Sequence, residues 1–408
     1  MQYLVFDSNL TQRWRRVKEF VDSCNDVNFW VDIKRHTRSL LKDTMELAML
    51  DEITKYTNAQ KHQRTENRLD YRNGYYFRSL DTELGPMVSI KIPRSRLGLY
   101  KTNVFERYQR RQGAVNEAIC NVFLAGVSTR DVSGALKPIL ETTFSASCVS
   151  TVTKSLDAKV KEFHKRTLLD EYQFLFLDGI TLKVKNSLKA VKKLVLVAYG
   201  ITVFGKKELI SFRIAPSESE NSWQAFLNDL YSRGLKGDNL KLIITDGCPG
   251  LHAALDIVYA YTKRQRCWVH KLRNAAKTLR KSDEKQVLSE AKKIYKAKTK
   301  REAVRLFRLW KKHWYKLYPK AVNCIEKNLD ELLSFLEIPL PAKYRALIRK
   351  RTRTTNVIER AFREVRRRTR PMSCFTNQDS VNRIIYAILT RLNNKWKDKP
   401  LVEFTQFI

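Results

Sequence analysis

The sequence has few acidic residues and no long apolar run. Its 408 residues include 42 Asp and Glu against 78 Lys and Arg, so the formal net charge at pH 7 is +36. The longest apolar stretch, around residues 194–204, is too short to cross a bilayer, and no charged-then-apolar leader opens the sequence. We therefore expect a soluble, intracellular protein that is not embedded in a membrane.

Cysteine is also scarce. The seven cysteines are odd in number and scattered, which is not the spacing of a disulfide framework and fits a reducing compartment. So large an excess of positive charge repels itself and favours a polyanionic partner, of which nucleic acid is the first candidate. Because 43% of the residues are hydrophobic and the chain is long enough for two to four domains, we expect the basic residues to lie on folded surfaces.

Three acidic residues occur where a folded chain could bring them together. Asp178 ends the apolar run 174–177, Asp246 ends the run 242–245, and Glu359 lies in the Arg-rich segment 351–370. Mg²⁺ prefers hard oxygen ligands and keeps much of its water, so one or two carboxylates can hold it beside phosphate oxygens. Two such ions about 4 Å apart support in-line phosphoryl displacement. These residues are therefore candidates for cutting and joining DNA.

The region between residues 172 and 269 predicts alternating strands and helices. Strands are expected at 172–178, 193–204 and 208–214, then a helix at 220–233 capped by Ser217 or Ser219, a strand at 241–245, a helix at 250–261 and a strand near 264–269. This order is typical of an α/β ribonuclease-H-like fold, in which the first and fourth strands are neighbours. Asp178 and Asp246 would then converge at C-terminal strand ends, where α/β ligand sites gather. An Asp-Gly turn at each strand end is the structural alternative.

The part before this core is mainly helical. Apolar spacing predicts a helical arm in the first 50 residues, and residues 71–94 favour a β-ribbon with a turn at Asn73-Gly74. Residues 113–165 predict helices that start near Ser128 and Ser145, as in a helix-turn-helix. The ribbon could clamp nucleic acid or be the packing face of a small sheet. The paired helices could read DNA or form an ordinary helical hairpin.

The third carboxylate follows a basic helical stretch. Residues 271–318 carry 17 basic and 4 acidic residues, and the helical pattern of 271–336 ends at two prolines. This stretch is either a solvated helical face or an extension of a DNA-binding surface. A helix from about Thr355 then places an apolar face beside one that carries Glu359 and Arg363. Eight arginines against two glutamates in 351–370 leave guanidinium groups free for phosphates.

Eight short motifs lie along the chain in a specific order and spacing. They are Tyr71-Arg72-Asn73-Gly74-Tyr75-Tyr76, Pro93-Arg94-Ser95-Arg96, Tyr108-Gln109-Arg110-Arg111, Ala125-Gly126-Val127-Ser128-Thr129-Arg130-Asp131-Val132, Asp178-Gly179, Thr245-Asp246-Gly247, Gln265-Arg266-Cys267-Trp268-Val269-His270-Lys271-Leu272-Arg273-Asn274 and Thr354-Thr355-Asn356-Val357-Ile358-Glu359-Arg360. With them the chain resembles, over about residues 71–404, the bacterial insertion-sequence transposases of the IS256 type, relatives of the eukaryotic Mutator elements.

The resemblance implies a DDE transposase. Asp178, Asp246 and Glu359 occupy the positions of the catalytic, metal-binding triad on a ribonuclease-H-like core with an all-helical insertion. The motif from Asn356 to Glu359 selects that glutamate over its neighbours Glu326, Glu331, Glu337 and Glu364. The implied cofactor is a pair of Mg²⁺ ions, for which Mn²⁺ can substitute. The implied partners are double-stranded DNA, as terminal inverted repeats and target, and a second copy of the chain in at least a homodimer.

The resemblance also implies a bacterial, nucleoid-associated cytoplasmic protein and a copy-out, paste-in route through a circular intermediate. Two rivals remain open. One is a structure-selective nuclease on the same fold, which would cut but not join DNA. The other is a DNA-binding regulator that uses the helix-turn-helix, with catalytically silent carboxylates.

Four residues have the spacing of zinc ligands. Cys267 with His270 and Cys248 with His252 would have to converge to make a closed zinc site. The resemblance instead places Cys267 and His270 beside the active site, and we group them with Asn356 as accessory residues. A buried, hydrogen-bonded histidine is the alternative for His270.

The candidate DNA contacts are basic residues of these segments and one aromatic residue. Trp310, like Trp314, is either a core residue or a ring that stacks on bases. The candidates are Arg72, Arg94, Arg96, Arg110, Arg111, Arg130, Arg273, Arg360, Arg363, Arg366, Arg367 and Trp310.

Six segments follow from these patterns. The fold expected is an α/β ribonuclease-H-like catalytic core with an all-helical insertion, preceded by mainly helical DNA-binding domains. The segments are a helical arm at 1–55 that is a candidate for dimerisation, a basic β-ribbon-like segment at 56–112, a helix-turn-helix-like domain at 113–167, the first part of the core at 168–270, the insertion at 271–350 and the second part of the core at 351–408.

Overall fold

The structure is a computed structural model that describes Glu19 and residues 29–186, 189–340, 342–372 and 374–407. The chain divides into two compact units. Unit 1 comprises Met1–Phe123 with Thr129–Val152, and unit 2 comprises Leu124–Ser128 with Thr153–Ile408. The six segments expected from the sequence remain predictions, and most of the first 28 residues of the expected N-terminal arm lie outside the described residues.

Unit 1 is built on a long helix packed across a two-stranded ribbon. Helix α1 spans Phe29–Thr57, and strands β1 (Arg72–Thr82) and β2 (Gly85–Ser95) form an antiparallel hairpin. Residues from the helix, the ribbon and the segment after it share one apolar core. Its buried members are Met49, Leu80, Met87, Ile90, Ile92 and Phe105. The helical arm and the ribbon expected from the sequence are both confirmed within the described residues.

The turn of this ribbon is not where the sequence suggested. Asn73 and Gly74 lie inside β1, where Gly74 has a φ of +66° and the strand register shifts. A left-handed glycine beside a register shift is a β-bulge, so the dipeptide bends the strand rather than closing the hairpin. The hairpin closes at Glu83 and Leu84, between the paired residues at 82 and 85.

Three short helices follow the ribbon. They are α2 (Gly113–Leu124), α3 (Val132–Leu140) and α4 (Ala146–Lys154). Ser145 caps α4 as expected, because its hydroxyl accepts a hydrogen bond of 3.1 Å from the backbone N–H of Cys148. The expected helix start at Ser128 is wrong, since turn residues run to Asp131 and α3 begins one residue later. A helix, a short turn and a second helix are therefore present at 132–154, and DNA binding by them remains a prediction.

Unit 2 contains a mixed five-stranded sheet. After α5 (Leu156–Lys165) come β3 (Tyr172–Asn186), β4 (Lys189–Thr202), β5 (Lys207–Ala215), α6 (Glu220–Ser232), β6 (Leu242–Thr245), α7 (Pro249–Val258) and β7 (Arg264–Arg266). The strand order is β5-β4-β3-β6-β7, with β3, β4 and β5 antiparallel and β6 and β7 parallel to β3. The expected pairing of the first and fourth strands is confirmed, and the mixed α/β architecture is compatible with a ribonuclease-H-like core.

Helices cover both faces of this sheet. On one face, α6 and α7 bury Trp223, Phe226 and Leu255 against strand residues such as Leu175 and Leu177. Ser219 caps α6 by accepting from the N–H of Ser222, as expected. The other face is covered by α15 (Gln378–Trp396) and the 3₁₀ helix Val402–Phe407, where ring pairs such as Phe174–Phe404 pack edge to face at 5.2 Å.

The region expected to be a helical insertion is a series of helices after β7. It comprises α8 (Trp268–Ala276), α9 (Lys281–Ile294), α10 (Lys300–Trp314), α11 (Pro319–Glu326), α12 (Leu329–Leu333), the 3₁₀ turn Ser334–Leu336 and α13 (Arg345–Thr352), and α14 (Asn356–Thr369) follows. Hydrogen bonds join α12 in the later part of this series to the residues at its start. The carbonyl of Leu332 accepts hydrogen bonds from Gln265 at 2.9 Å and from the Trp268 indole at 2.6 Å.

Trp310 belongs to the core of this insertion. Its side chain is only 4% exposed, and its indole N–H donates to the carbonyl of Val287 at 3.1 Å, across α9 and α10. Trp314 is buried as well and donates to Glu290 at 2.7 Å. The assignment of Trp310 to the DNA contacts is therefore corrected, because a ring enclosed by two helices offers no face to a base.

No helix in the described residues is long and apolar enough to span a lipid bilayer.

Candidate active site

Asp178 lies at the centre of the sheet. Its strand β3 pairs in parallel with β6 up to the pair Leu177 and Thr245, so the next residues, Asp178 and Asp246, stand side by side where β6 ends. The carboxyl of Asp178 is only 8% exposed and accepts a hydrogen bond of 2.7 Å from the N–H of Gly179. Burial raises its pKa to about 7, and the charge of Asp246 adds to that rise.

The expectation that Asp178 ends its strand is wrong. Strand β3 continues for eight residues beyond it to Asn186, still paired with β4. The segment around Phe375 adds to this pairing, because the N–H of Phe375 donates to Lys183 at 3.0 Å and its carbonyl accepts from Lys185 at 2.8 Å. The site therefore lies where the parallel pairing stops, in the middle of a long strand.

Asp246 follows β6 directly. Its Oδ1 accepts a hydrogen bond of 3.0 Å from the N–H of Cys248, a local turn that orients the carboxylate before α7 begins. Gly247 takes a φ of +95°, which favours glycine at this turn. Asp246 therefore forms an Asp-Gly turn and also lies beside Asp178. The turn alternative and a place in the site are compatible for this residue.

Glu359 comes from the first turn of α14 and faces His270, whose Nε2 lies 3.4 Å from its Oε1. The four neighbouring glutamates are instead in ion pairs with basic residues. These pairs are Glu326 with Lys311, Glu331 with Arg266, Glu337 with Lys263 and Lys300, and Glu364 with Arg367 and Arg368. Among these five glutamates, Glu359 is the one whose charge also acts on Asp178.

Cys267 and His270 lie beside these carboxylates, as the resemblance implied. Both are joined by Thr355, the residue before α14, which is fully buried. Its N–H and hydroxyl lie 3.3 and 3.4 Å from the sulfur of Cys267, and its hydroxyl lies 3.4 Å from Nδ1 of His270. These contacts fix the start of α14, and hence Glu359, against the start of α8.

The charges of this cluster are coupled. A hydrogen bond with Cys267 raises the pKa of His270 to about 9, and the charges of Cys267, Asp178 and Glu359 act in the same direction against burial. Burial opposes ionisation of the Cys267 thiol, but hydrogen bonds from His270 and Thr355 outweigh it and lower the pKa of that thiol. At neutral pH His270 is therefore a cation that faces Glu359.

The described residues contain no group of three or more His, Cys, Asp or Glu side chains placed closely enough to hold a metal ion. The four residues of the zinc alternative do not form such a group, and Cys267 contacts Thr355 while His252 shares a hydrogen bond of 3.1 Å with Thr245. The charges of Asp246 and Glu359 both raise the pKa of Asp178, but the three carboxylates are not placed closely enough to form a ligand group.

Two features of the site were not assigned from the sequence: the role of Thr355, and an arginine that joins the residue after Asp246 to the helical region. Arg266 donates to the carbonyl of Gly247 at 3.0 Å and pairs with Glu331 of the insertion. It thereby ties the residue after Asp246 to α12. Thr355 could have been found from its place in the motif with Asn356 and Glu359, whereas Arg266 and Glu331 are 65 residues apart and have no sequence signal. Asn356 itself is exposed at the start of α14, and its accessory role remains a prediction.

The predicted DNA contacts are divided between the two units. Among the predicted contacts, the exposed arginines of unit 1 are Arg94, Arg96, Arg110 and Arg130. The exposed predicted contacts of unit 2 are Arg273, Arg360, Arg363, Arg366 and Arg367. Two others are engaged in the fold. Arg72 donates to Thr54 at 2.7 Å and Arg111 to Asn116 at 3.0 Å, so both guanidinium groups are held within the fold, and exposed Arg367 pairs with Glu364 at 3.5 Å.

Comparison with known proteins gives a consistent result. A family model described as "Transposase, Mutator family" matches residues 17–399. The transposase for insertion sequence element ISRM5 of Rhizobium meliloti is 32% identical over 361 residues, 88% of each chain. The transposase for IS256 in transposon Tn4001 of Staphylococcus aureus is 34% identical over 368 residues, 88% of this chain and 90% of the relative. That for IS406 of Burkholderia multivorans is 36% identical over 348 residues, 85% and 87%.

Proposed function

Because the chain belongs to the Mutator family of transposases, we propose that it binds the terminal inverted repeats of its own insertion sequence and catalyses DNA cleavage and strand transfer with Asp178, Asp246 and Glu359. The observation that supports this most directly is the parallel register that sets Asp178 beside Asp246, with Glu359 held towards them by His270. We assign the sheet and its helices to the ribonuclease-H-like fold on the strand order.

The three carboxylates would hold the metal after moving closer together, since they are not placed closely enough to hold an ion in the described structure. They are hard oxygen ligands, and the charges of Asp246 and Glu359 add to the raised pKa of Asp178, a repulsion that a divalent cation would relieve. When bound, two Mg²⁺ ions supply activation of the attacking oxygen and stabilisation of the leaving oxygen, and Mn²⁺ suits the same oxygen ligands.

The residues around the triad orient it and receive DNA. His270 holds the carboxylate of Glu359, and Thr355 fixes both through Cys267. The exposed arginines of α14, such as Arg363, carry charge that can pair with phosphates next to the site. The same residues can serve hydrolysis and strand transfer, because the two steps are the same displacement with a different nucleophile. Because two element ends must be held together, we propose at least a homodimer. We also propose a copy-out, paste-in route through a circular intermediate.

The test uses purified protein, labelled DNA ends of the element that encodes the chain, and Mg²⁺. We expect nicked and joined products from the wild type. Asp178→Asn, Asp246→Asn and Glu359→Gln should each lose both products and keep repeat binding, because each removes a ligand charge with little change of shape. Glu364→Gln, on the same helix as Glu359 and paired with Arg368, is the matched control and should keep both products.

The rivals give different products. Nicked DNA without joined DNA would support the structure-selective nuclease instead. Repeat binding with neither product would support the regulator. Strand transfer near the wild-type level in any one triad variant would remove that residue from the proposed triad.

A further inference from the structure

A basic groove lies in unit 1, outside the candidate active site. It has a volume of about 1200 Å³ and runs between the ribbon β1–β2 and the segment 96–110 that follows it. Five exposed cationic side chains line it, against two lining carboxylates, Asp81 and Glu106. The five are Arg94, Arg96, Lys101, Arg107 and Arg110, and we call them the groove cations. The groove is therefore positive, and its size exceeds the roughly 300–1,000 Å³ usual for small-molecule pockets.

Two of the groove cations contact tyrosine rings, since Arg107 lies 4.9 Å over the ring of Tyr108 and Arg96 lies 5.7 Å over the ring of Tyr71. Within the described ranges, no carboxylate forms an ion pair with any of them, whereas Lys34 and Arg38 of the same unit pair with Glu141 at 2.8 and 2.6 Å. Arg78 also lines the groove but is used by the fold, because it lies 4.8 Å over the ring of Phe105 and donates to the carbonyl of Gln109. The charge on the groove wall is thus not neutralised by ion pairing within the described protein.

An exposed tyrosine is held in a strained conformation at the groove edge. Tyr108 is 77% exposed and has a φ of +65°, a left-handed conformation that is strained for a bulky residue. The surrounding turn keeps it there. Gln109 donates its N–H to Glu106 at 3.1 Å, accepts from the N–H of Glu106 at 2.9 Å and donates its amide to Arg111 at 3.0 Å. The ring of Tyr76, on the ribbon, is a second exposed aromatic lining residue.

The walls of the groove are preformed. Segment 96–110 contains no helix or strand, yet Glu52 of α1 accepts hydrogen bonds from Tyr100 at 3.1 Å, from Thr102 at 2.7 Å and from the N–H of Asn103 at 3.1 Å. Phe105 anchors the segment in the core of unit 1. A ligand therefore meets a surface that needs little ordering on binding, which favours affinity.

We propose that this groove binds a single DNA strand, with phosphates on the groove cations and an unstacked base against the face of the Tyr108 ring opposite Arg107. A positive groove that also presents exposed rings is the combination found in single-strand sites, since every base has a face on which an aromatic ring can stack. A duplex would use the cations but not the ring, because its bases are already stacked on each other. This inference rests on the proposed function, and it specifies the strand state of the DNA that unit 1 receives.

The experiment measures binding of the full-length protein to a short mixed-sequence single strand that carries one 2-aminopurine. We expect Tyr108→Ala to weaken binding about 5- to 100-fold and to abolish the change in 2-aminopurine fluorescence, since one base stacked on an aromatic ring accounts for that range. Tyr108→Phe should bind as the wild type does, because stacking needs no hydroxyl. The matched control is Tyr261→Ala in unit 2, which removes a fully exposed tyrosine (103%) and should change nothing.

A second pair of variants tests the cations independently of the tyrosine turn. Arg94→Gln and Arg110→Gln should each make the negative slope of log K against log salt shallower by about 0.7 on the single strand, one phosphate contact each. Tyr108→Ala should leave that slope unchanged. An unlabelled duplex with the same number of phosphates should compete less well than an unlabelled single strand.

Different results would overturn the groove assignment and the proposed function. If Tyr108→Ala and both arginine variants bind the single strand as the wild type does, the groove assignment is overturned, even when the protein cuts and joins repeat DNA. A duplex that competes better than the single strand also overturns it. Single-strand binding that depends on Tyr108, in a protein that neither cuts nor joins repeat DNA, would support the groove and count against the proposed function.

Discussion

Replacing Asp178 by Asn should stabilise the metal-free protein while removing its activity. The buried carboxyl has its pKa raised from 3.8 to about 7 in the folded state, so above that pH the folded protein must hold an ionised carboxylate that the unfolded chain holds at no cost. A shift of this size corresponds to at most about 4 kcal/mol. Asn keeps the oxygen that accepts from Gly179 and removes the charge.

The sign of the pH dependence follows from the raised pKa. Below about pH 4 the carboxyl is protonated in both states, and the variant gains nothing. Between pH 4 and 7 the wild type loses stability as the unfolded chain releases this proton first, and above pH 7 the deficit is constant. Because water penetration and relaxation screen a buried charge, we expect Asp178→Asn to be more stable than the wild type by about 1–3 kcal/mol at pH 8 in a chelator.

Denaturant unfolding followed by tryptophan fluorescence measures this effect, since five of the seven tryptophans lie in unit 2 with Asp178. Asp398→Asn, at an exposed position of the same unit, is the control and should be neutral. Saturating Mg²⁺ should stabilise the wild type and not the variant, and so remove the difference between their free energies of unfolding. A variant no more stable than the wild type at pH 8 without metal would refute the account of a strained, charged Asp178.

Three further outcomes are expected. Thr355→Val should reduce single-turnover cleavage about 10- to 100-fold and raise the Mg²⁺ concentration needed, while Thr355→Ser restores both, because the hydroxyl orients Cys267 and His270 beside the proposed metal site. Trp310→Ala should lower the free energy of unfolding by about 3–5 kcal/mol, whereas exposed Leu309→Ala should change it little. Gly126→Ala should destabilise by more than about 1 kcal/mol, since its φ is +107° and an added Cβ would lie 3.1 Å from backbone, whereas Gly134→Ala, in open space within α3, should stabilise by about 0.5–1 kcal/mol. Urea unfolding curves measure both stability predictions.

The central sheet could be predicted because its signals are local. The runs 174–177 and 242–245 are buried and apolar except for Thr245, as expected of strands covered on both faces, and each is followed directly by an aspartate. Their parallel pairing then brings Asp178 and Asp246 together without any further information. The cap at Ser219 is equally local, since a hydroxyl at the residue before a helix needs only its own backbone.

What could not be predicted depends on distant partners. Asn73-Gly74 is a hairpin signal taken alone, but the pairing of β1 with β2 makes it a bulge. The extension of β3 past Asp178 pairs with β4 and is joined by Phe375, nearly 200 residues later. Trp310 has the helical spacing of either a core or an exposed aromatic, and only the packing of α9 on α10 decides between them. Thr355 acquires its place through Cys267, 88 residues away.

The position of the insertion makes the proposed active site one of the last features of the protein to form during synthesis. Asp178 and Asp246 leave the ribosome with a nearly complete sheet, but Glu359 follows roughly 110 residues later, about 6–20 s at ordinary rates of translation. It reaches its place only when α8–α13 have folded and returned to β7, where Leu332 is bound by Gln265 and Trp268. Under the proposed function, a nascent or truncated chain would bind DNA through unit 1 before it could cut, and incomplete copies would occupy the element ends as inhibitors.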